Sequence, residues 1–189
     1  TAKDYEKALH IYKQLKDKAA SMERRQLAKT GMLRSAHMLG NEEEIIFTAT
    51  DLLADTKLAP ELSNEAHYYR AKAYLDAGKT DGAMEDLKVL AKDTRNVYGA
   101  EAKYKVAQIY FDGGQTDKAE QEVLNYIEVS TPHTYWLARS FVLLADVYMK
   151  LGRNLDAKQY LLSLKQNYQA DDDIAGMIES RLEKLKTEN

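Results

Sequence analysis

The chain contains no cysteine, which excludes disulfides, thiolate metal sites and cysteine nucleophiles. Proline occurs twice and glycine nine times in 189 residues. That is too few turn formers for an all-β domain, whose strands need a turn about every 8–12 residues. No long apolar run is present: the longest, Phe141 to Tyr148, is broken by Asp146, so no membrane insertion is expected. An excess of one charge is missing too. The 27 basic and 30 acidic side chains are mixed along the chain for a net charge of −3, the mark neither of a basic nucleic-acid surface nor of an acidic disordered tail. No signal peptide stands at the start. The first residue is Thr1 rather than Met, and the expectation is a piece of a longer or processed protein.

What the chain does have is a repeat. Hydrophobic residues make up 44%, and the helix formers Ala, Leu, Lys, Glu and Gln dominate, with Asp. Four times an Ala or Tyr is followed by Gly four residues later and by a small or apolar residue nine later: Ala36–Gly40–Ile45, Tyr74–Gly78–Ala83, Tyr110–Gly114–Ala119 and Tyr148–Gly152–Ala157. Three residues before each start stands Leu33, Ala71, Ala107 or Ala145. Spacings of i, i+3, i+4 and i+7 put these residues on one helix face. Glycine then ends the first helix, and Asn41, Thr80, Thr116 or Asn154 is expected to cap the second. The capping role extends to Glu44, which stands three residues after Asn41 as in a capping box.

A further half copy precedes these. Ala8, Tyr12 and Leu15 repeat the second-helix pattern 37 residues before Ile45, so the chain is expected to open on a second helix without its first. At the other end, Asp171, Asp172 and Asp173 precede an amphipathic stretch bearing Ile174, Met177, Ile178, Leu182 and Leu185, suited to a closing helix. The predicted organisation is one domain: an orphan second helix over 1–20, helix pairs over 21–56, 60–93, 97–129 and 132–169, and a cap over 172–186. The fold class is all-α, a right-handed superhelical solenoid of antiparallel helix pairs with about ten helices.

The small residue, Tyr, Gly and Ala at these offsets resemble the tetratricopeptide repeat over nearly the whole chain, best in Tyr74 to Gly78 and Tyr110 to Gly114. The repeats run 36 to 38 residues rather than about 34. His67 and Lys103 stand where the family has an early aromatic, with Phe141 alone fitting, and Arg70 occupies an apolar position. The strings Glu65-Ala66-His67-Tyr68 and Glu101-Ala102-Lys103-Tyr104 resemble bacterial cell-envelope repeat scaffolds, which makes the periplasmic side of an envelope one expected location and the cytoplasm the other. The family resemblance implies a groove lined by first helices. By register its candidate residues are Arg34, His37, Tyr68, Lys72, Asp76, Tyr104, Gln108, Asp112, Arg139, Asp146 and Lys150. Two roles are open to the tyrosines, ligand contact or packing between repeats. The Lys and Asn clamp of the chaperone-tail-binding members is not reproduced at Thr30, Arg34, Tyr68, Lys72, Tyr104 and Gln108.

Nothing points to chemistry. The histidines His10, His37, His67 and His133 are scattered without metal spacing. Gly113-Gly114 lacks the Lys-Ser/Thr of a phosphate loop, and the aspartates at 171–173 lack a calcium-loop pattern. Neither catalytic residues nor a cofactor are expected. The expected function is a non-catalytic scaffold for a protein or peptide. The alternatives are a structural spacer and a self-association module, with a homodimer through Tyr5, Leu9, Tyr12 and Leu15 of the half copy. An RNA-binding repeat ranks last, because acids interleave with bases along the first helices.

Overall fold

The computed structural model describes residues 1–187, which form ten helices and no strand: α1 (Ala2–Lys18), α2 (Met22–Leu39), α3 (Glu42–Leu53), α4 (Pro60–Asp76), α5 (Thr80–Leu90), α6 (Val97–Asp112), α7 (Thr116–Ile127), α8 (Thr134–Lys150), α9 (Asn154–Asn167) and α10 (Ile174–Thr187). The all-α repeat class is the one the spacing predicts. The helices gather into two compact units, α1–α5 over residues 1–90 and α6–α10 from residue 91 onward. In the first, α2 packs on α1 and α3, and α4 on α3 and α5. In the second, α7 packs on α6 and α8, α9 on α8, and α10 lies against α8 and α9.

The turn inside each pair is built the same way every time. Gly40, Gly78, Gly114 and Gly152 lie at φ between +63° and +74°, the left-handed region, which side chains with a Cβ avoid. The amide of the next residue then reaches back to close the first helix. Asn41 donates to the Ala36 carbonyl at 3.1 Å, Lys79 to Tyr74 at 2.7 Å, and Gln115 and Arg153 to Tyr110 and Tyr148 at 2.8 Å. The glycine amides bond His37, Leu75, Phe111 and Met149 at 3.0–3.1 Å, completing a Schellman motif. The same residue after glycine opens the second helix, its carbonyl accepting from Ile45, Ala83, Ala119 or Ala157 at 2.9–3.2 Å. The spacing of nine in the sequence is therefore two hydrogen bonds: five residues back to the first helix and four forward into the second.

This geometry corrects the capping expectation. Asn41 does cap α3, its Oδ1 accepting from the Glu44 amide at 3.0 Å. Thr80, Thr116 and Asn154 do not cap; each is the first helical residue, and Gln115 and Arg153 hold the cap places without a side-chain bond. The Schellman bond starts the second helix directly after glycine, so a polar residue two places after it arrives one too late. Glu44 does not complete a capping box either. Its carboxylate receives Lys13 of α1 at 2.7 Å and the Thr48 hydroxyl at 3.3 Å.

Size complementarity joins neighbouring hairpins in the first unit. Tyr12 of α1 lies flat over Gly31 of α2, so close that a Cβ on Gly31 would stand 2.5 Å from the ring. The equivalent pair one repeat later is reversed, Ala49 of α3 with Tyr69 of α4, both in the core that holds Leu33, Ile45 and Leu52. The second unit centres on Val123, Val142, Leu144, Leu161 and Ile178, into which α10 sinks Ile174 and Leu182.

Two outcomes are expected in urea melts. Gly114→Ala should cost about 1–2 kcal/mol from backbone strain alone, since nothing lies within 4 Å of its Cβ position; Gly114→Asn should cost less. Gly31→Ala should cost about 1–3 kcal/mol by expelling the Tyr12 ring, and Tyr12→Ala on the same chain should make the glycine change nearly neutral.

Candidate protein-binding surfaces

In α4, α6 and α8 the side that faces the helix's own second helix is held by a matched pair of side chains 19 residues apart. In α4–α5 it is His67 Nδ1 with Asp86 Oδ1 at 2.7 Å. In α6–α7 it is Lys103 with Glu122 at 2.8 Å, and in α8–α9 the rings of Phe141 and Tyr160, 6.1 Å apart. The aromatic absent at residues 67 and 103 is thus replaced by a polar side chain that has a carboxylate partner at the facing position. Arg70 is explained the same way. Its guanidinium grips the 2%-exposed Asp86 with two bonds of 2.8 and 2.7 Å and gives a third, 2.9 Å, to Thr50 of α3. Burial pulls the Asp86 carboxyl up, but the bonds from Arg70 and His67 outweigh it and hold the group below the ordinary range.

Lys29 in α2 plays the corresponding part in the first pair. Buried, it donates to the Asp51 carbonyl at 2.9 Å and to Asp55 at 2.8 Å, tying down the last turn of α3, where positive charge suits the helix dipole. Burial favours its neutral form, yet the bonds to Asp55 and Asp51 prevail and raise its pKa.

With those sides engaged, the candidate residues lie on the other face of the first helices. In the first unit, Arg34 of α2 forms a two-pronged pair with Glu65 of α4 at 2.7 and 2.8 Å. The His37 ring stacks on Tyr69 at 4.1 Å, and burial together with the nearby Lys72 ammonium pushes its pKa down. Lys72 stands 5.7 Å over the Tyr68 ring, and Asp76 is exposed at the end of α4. Arg34, His37, Tyr68 and Lys72 thus form one polar-aromatic strip across α2 and α4.

In the second unit the candidates form a chain of bonds down α6. Tyr104 Oη donates to Gln108 at 2.9 Å, and Gln108 Nε2 to Asp112 at 2.8 Å. Arg139 of α8 meets this chain from the side. It donates to the Tyr104 hydroxyl at 3.3 Å and to Tyr135 at 2.9 Å, its guanidinium 5.1 Å over the Tyr104 ring and 6.0 Å from Trp136. Asp146 receives both prongs of Arg181 from α10 at 2.9 and 2.7 Å, and Lys150 lies 4.9 Å over Phe111. Tyr104 is 7% exposed, so its ring packs while its hydroxyl serves the strip. The candidate set omits Glu65, Tyr69, Tyr135, Trp136 and Arg181, and Asp173, which receives Arg139 at 3.3 Å. Of these, Arg181 stands 35 residues after Asp146, about one repeat length, which is the signal that could have found it.

These strips offer hydroxyl, amide, carboxylate and cationic groups beside aromatic area. Among the described residues no group of three or more His, Asp or Glu is placed to hold a metal, and no helix is long and apolar enough to cross a membrane.

Comparison with known proteins agrees with this architecture. Models of the tetratricopeptide repeat match residues 65–93 and 138–166. Crystal structures of a Podosopora anserina protein described as a kinesin light chain with nearly identical TPR-like repeats, one of them of a single-substitution form, share the fold. Each superposes with a TM-score of 0.61 at 19% identity, over 86% of this chain and 85–86% of theirs. No curated protein matches the sequence. The two matched segments and the fold are those of tetratricopeptide-like repeats, a class whose members are commonly protein-interaction scaffolds and generally non-catalytic. None of these matches ties it to the cell envelope.

Asp86 supplies a pH test. Its lowered folded pKa stabilises the first unit above the unfolded carboxylate value of about 3.9. That contribution is lost as pH falls through the lower folded value. Urea melts from roughly pH 2 to 6 should show this acid-side loss in the native chain and a flatter profile in Asp86→Asn. At neutral pH the variant should be less stable by about 3 kcal/mol, because Arg70 keeps its charge without its carboxylate.

Proposed function

We propose that the chain is a non-catalytic scaffold that binds a protein or peptide along the outward faces of its first helices. One observation carries this reading. Within each unit those faces hold polar and aromatic groups already positioned by bonds to one another, so a ligand meets a surface whose side-chain entropy is already spent. The strip on α2 and α4 mixes Arg34, His37, Tyr68 and Lys72 with Glu65 and Asp76. Both signs of charge beside aromatic rings suit a polypeptide, and fit poorly a nucleic-acid backbone that asks for one sign.

A second reading, a structural spacer, draws on the second unit. There Asp146 is taken up by Arg181 and Arg139 by Tyr104 and Tyr135, which leaves fewer groups to offer a ligand.

Charge reversals on the strips, at half-buried Lys72 and exposed Asp76, Asp112 and Lys150, separate the two. A pull-down from the source cell with the native chain, Lys72→Glu/Asp76→Lys and Asp112→Lys/Lys150→Glu should lose the same partners with one or both variants at unchanged helicity. Tyr104 is avoided, since its ring belongs to the core. Identical recovery by all three baits, or no recovery at all, would turn the assignment to the spacer.

A further inference from the structure

The second helices share an outer position that is polar in every copy but one. It is His10 in α1, Glu85 in α5, Gln121 in α7 and Gln159 in α9, and in α3 it is Phe47. Phe47 is 61% exposed and borders a groove of about 800 Å³, whose apolar lining is Ile46, Phe47 and Ala54. Phe47 and Ala54, seven residues apart, share one face of α3. The elements before and after α3 both reach this groove, Lys16 from α1 and Lys79 from the turn into α5, so it opens within the array of helices. Apolar surface gathered in such a place, where the repeat otherwise keeps polar groups, marks an interaction site.

The charges around the groove are divided between its two ends. Glu43 lies in the first turn of α3, and Lys79 opens α5 as Asn41 opens α3, so this acid and this base stand at the turn end. At the other end Lys16, in the last turn of α1, reaches Asp51 at 3.5 Å and stands 5.8 Å over the Phe47 ring. Asp51 has its closer bond to Lys29 at 2.9 Å, which leaves the Lys16 ammonium able to turn to another acid. Each end therefore carries both signs, with apolar surface between them.

We propose that this groove is the contact between two copies of the chain, related by a two-fold axis that crosses α3 beside Phe47. Such a contact sets each end of one groove against the opposite end of the other. Lys79 then meets the partner's Asp51, Glu43 meets the partner's Lys16, and the two Phe47 rings pack out of water beside the axis. A ligand of one charge would leave half of these groups facing their own sign. A second copy supplies both signs where each is needed.

Sedimentation equilibrium of the full chain up to about 1 mM should show a concentration-dependent dimer. Phe47→Glu changes a mostly exposed side chain and should leave the helical circular dichroism unchanged. It should raise the dimer dissociation constant at least about tenfold, because two carboxylates would be buried without partners at the axis. Glu43→Lys should weaken the dimer by setting like charges face to face, and Glu43→Lys/Lys16→Glu, which exchanges the pair, should recover it. Leu155→Glu, at an 82%-exposed position on α9, should have no effect. A chain that stays monomeric throughout, a dimer that survives Phe47→Glu or is lost with Leu155→Glu, or an exchange that fails to recover what Glu43→Lys loses would overturn the proposal. None of these changes touches the first-helix strips, so this contact and the scaffold reading can each fail alone.

Discussion

The hydrogen bond from the residue after each turn glycine to the carbonyl five places back sets the geometry of every pair in this molecule. A single such bond contributes only about 1 kcal/mol net. Its consequence is larger because the same residue both ends one helix and begins the next, so the angle and register of the hairpin follow from one local conformation. Glycine is needed there for its backbone and not for space, as the open surroundings of Gly40, Gly78, Gly114 and Gly152 make plain. Once the turn is set, small residues such as Ala71 and Ala83, or Ala107 and Ala119, are buried where the two helices meet.

With register fixed, residues 19 apart must face each other, and each hairpin fills that contact in its own way. His67 with Asp86, Lys103 with Glu122 and Phe141 with Tyr160 are interchangeable solutions to one packing problem. The polar versions cost desolvation and return it only if both partners are present, so they constrain which helices can pair. The network of Arg70, Asp86, His67 and Thr50 also reaches α3, linking one hairpin to the next through polar atoms, as the Arg34–Glu65 pair does between α2 and α4. Because these groups hold the inner side of the first helices, the outer side is left to the candidate residues.

Much of this was legible in the chain. The turn glycines and the helix pairs around them follow from a strict spacing, because a nine-residue interval leaves the backbone few ways to satisfy its amides and carbonyls. Most outward-facing candidates could be placed on first helices for the same reason. What spacing could not show is which of them are tied to one another. Gln108 appears in sequence as an available amide, yet it is bonded on both sides by Tyr104 and Asp112. Asp146 reads as a free carboxylate and is paired with Arg181.

The sequence by itself determined the helix count, the class of fold and the position of each hairpin turn, since these rest on local backbone chemistry repeated in register. Only the tertiary structure decided the partners: that Thr80, Thr116 and Asn154 fall one place too late to cap, that Tyr104 is core as well as surface, and that Phe47 borders an open groove. Side-chain pairing between helices depends on distances across the core, and those distances exist only after the hairpins have packed.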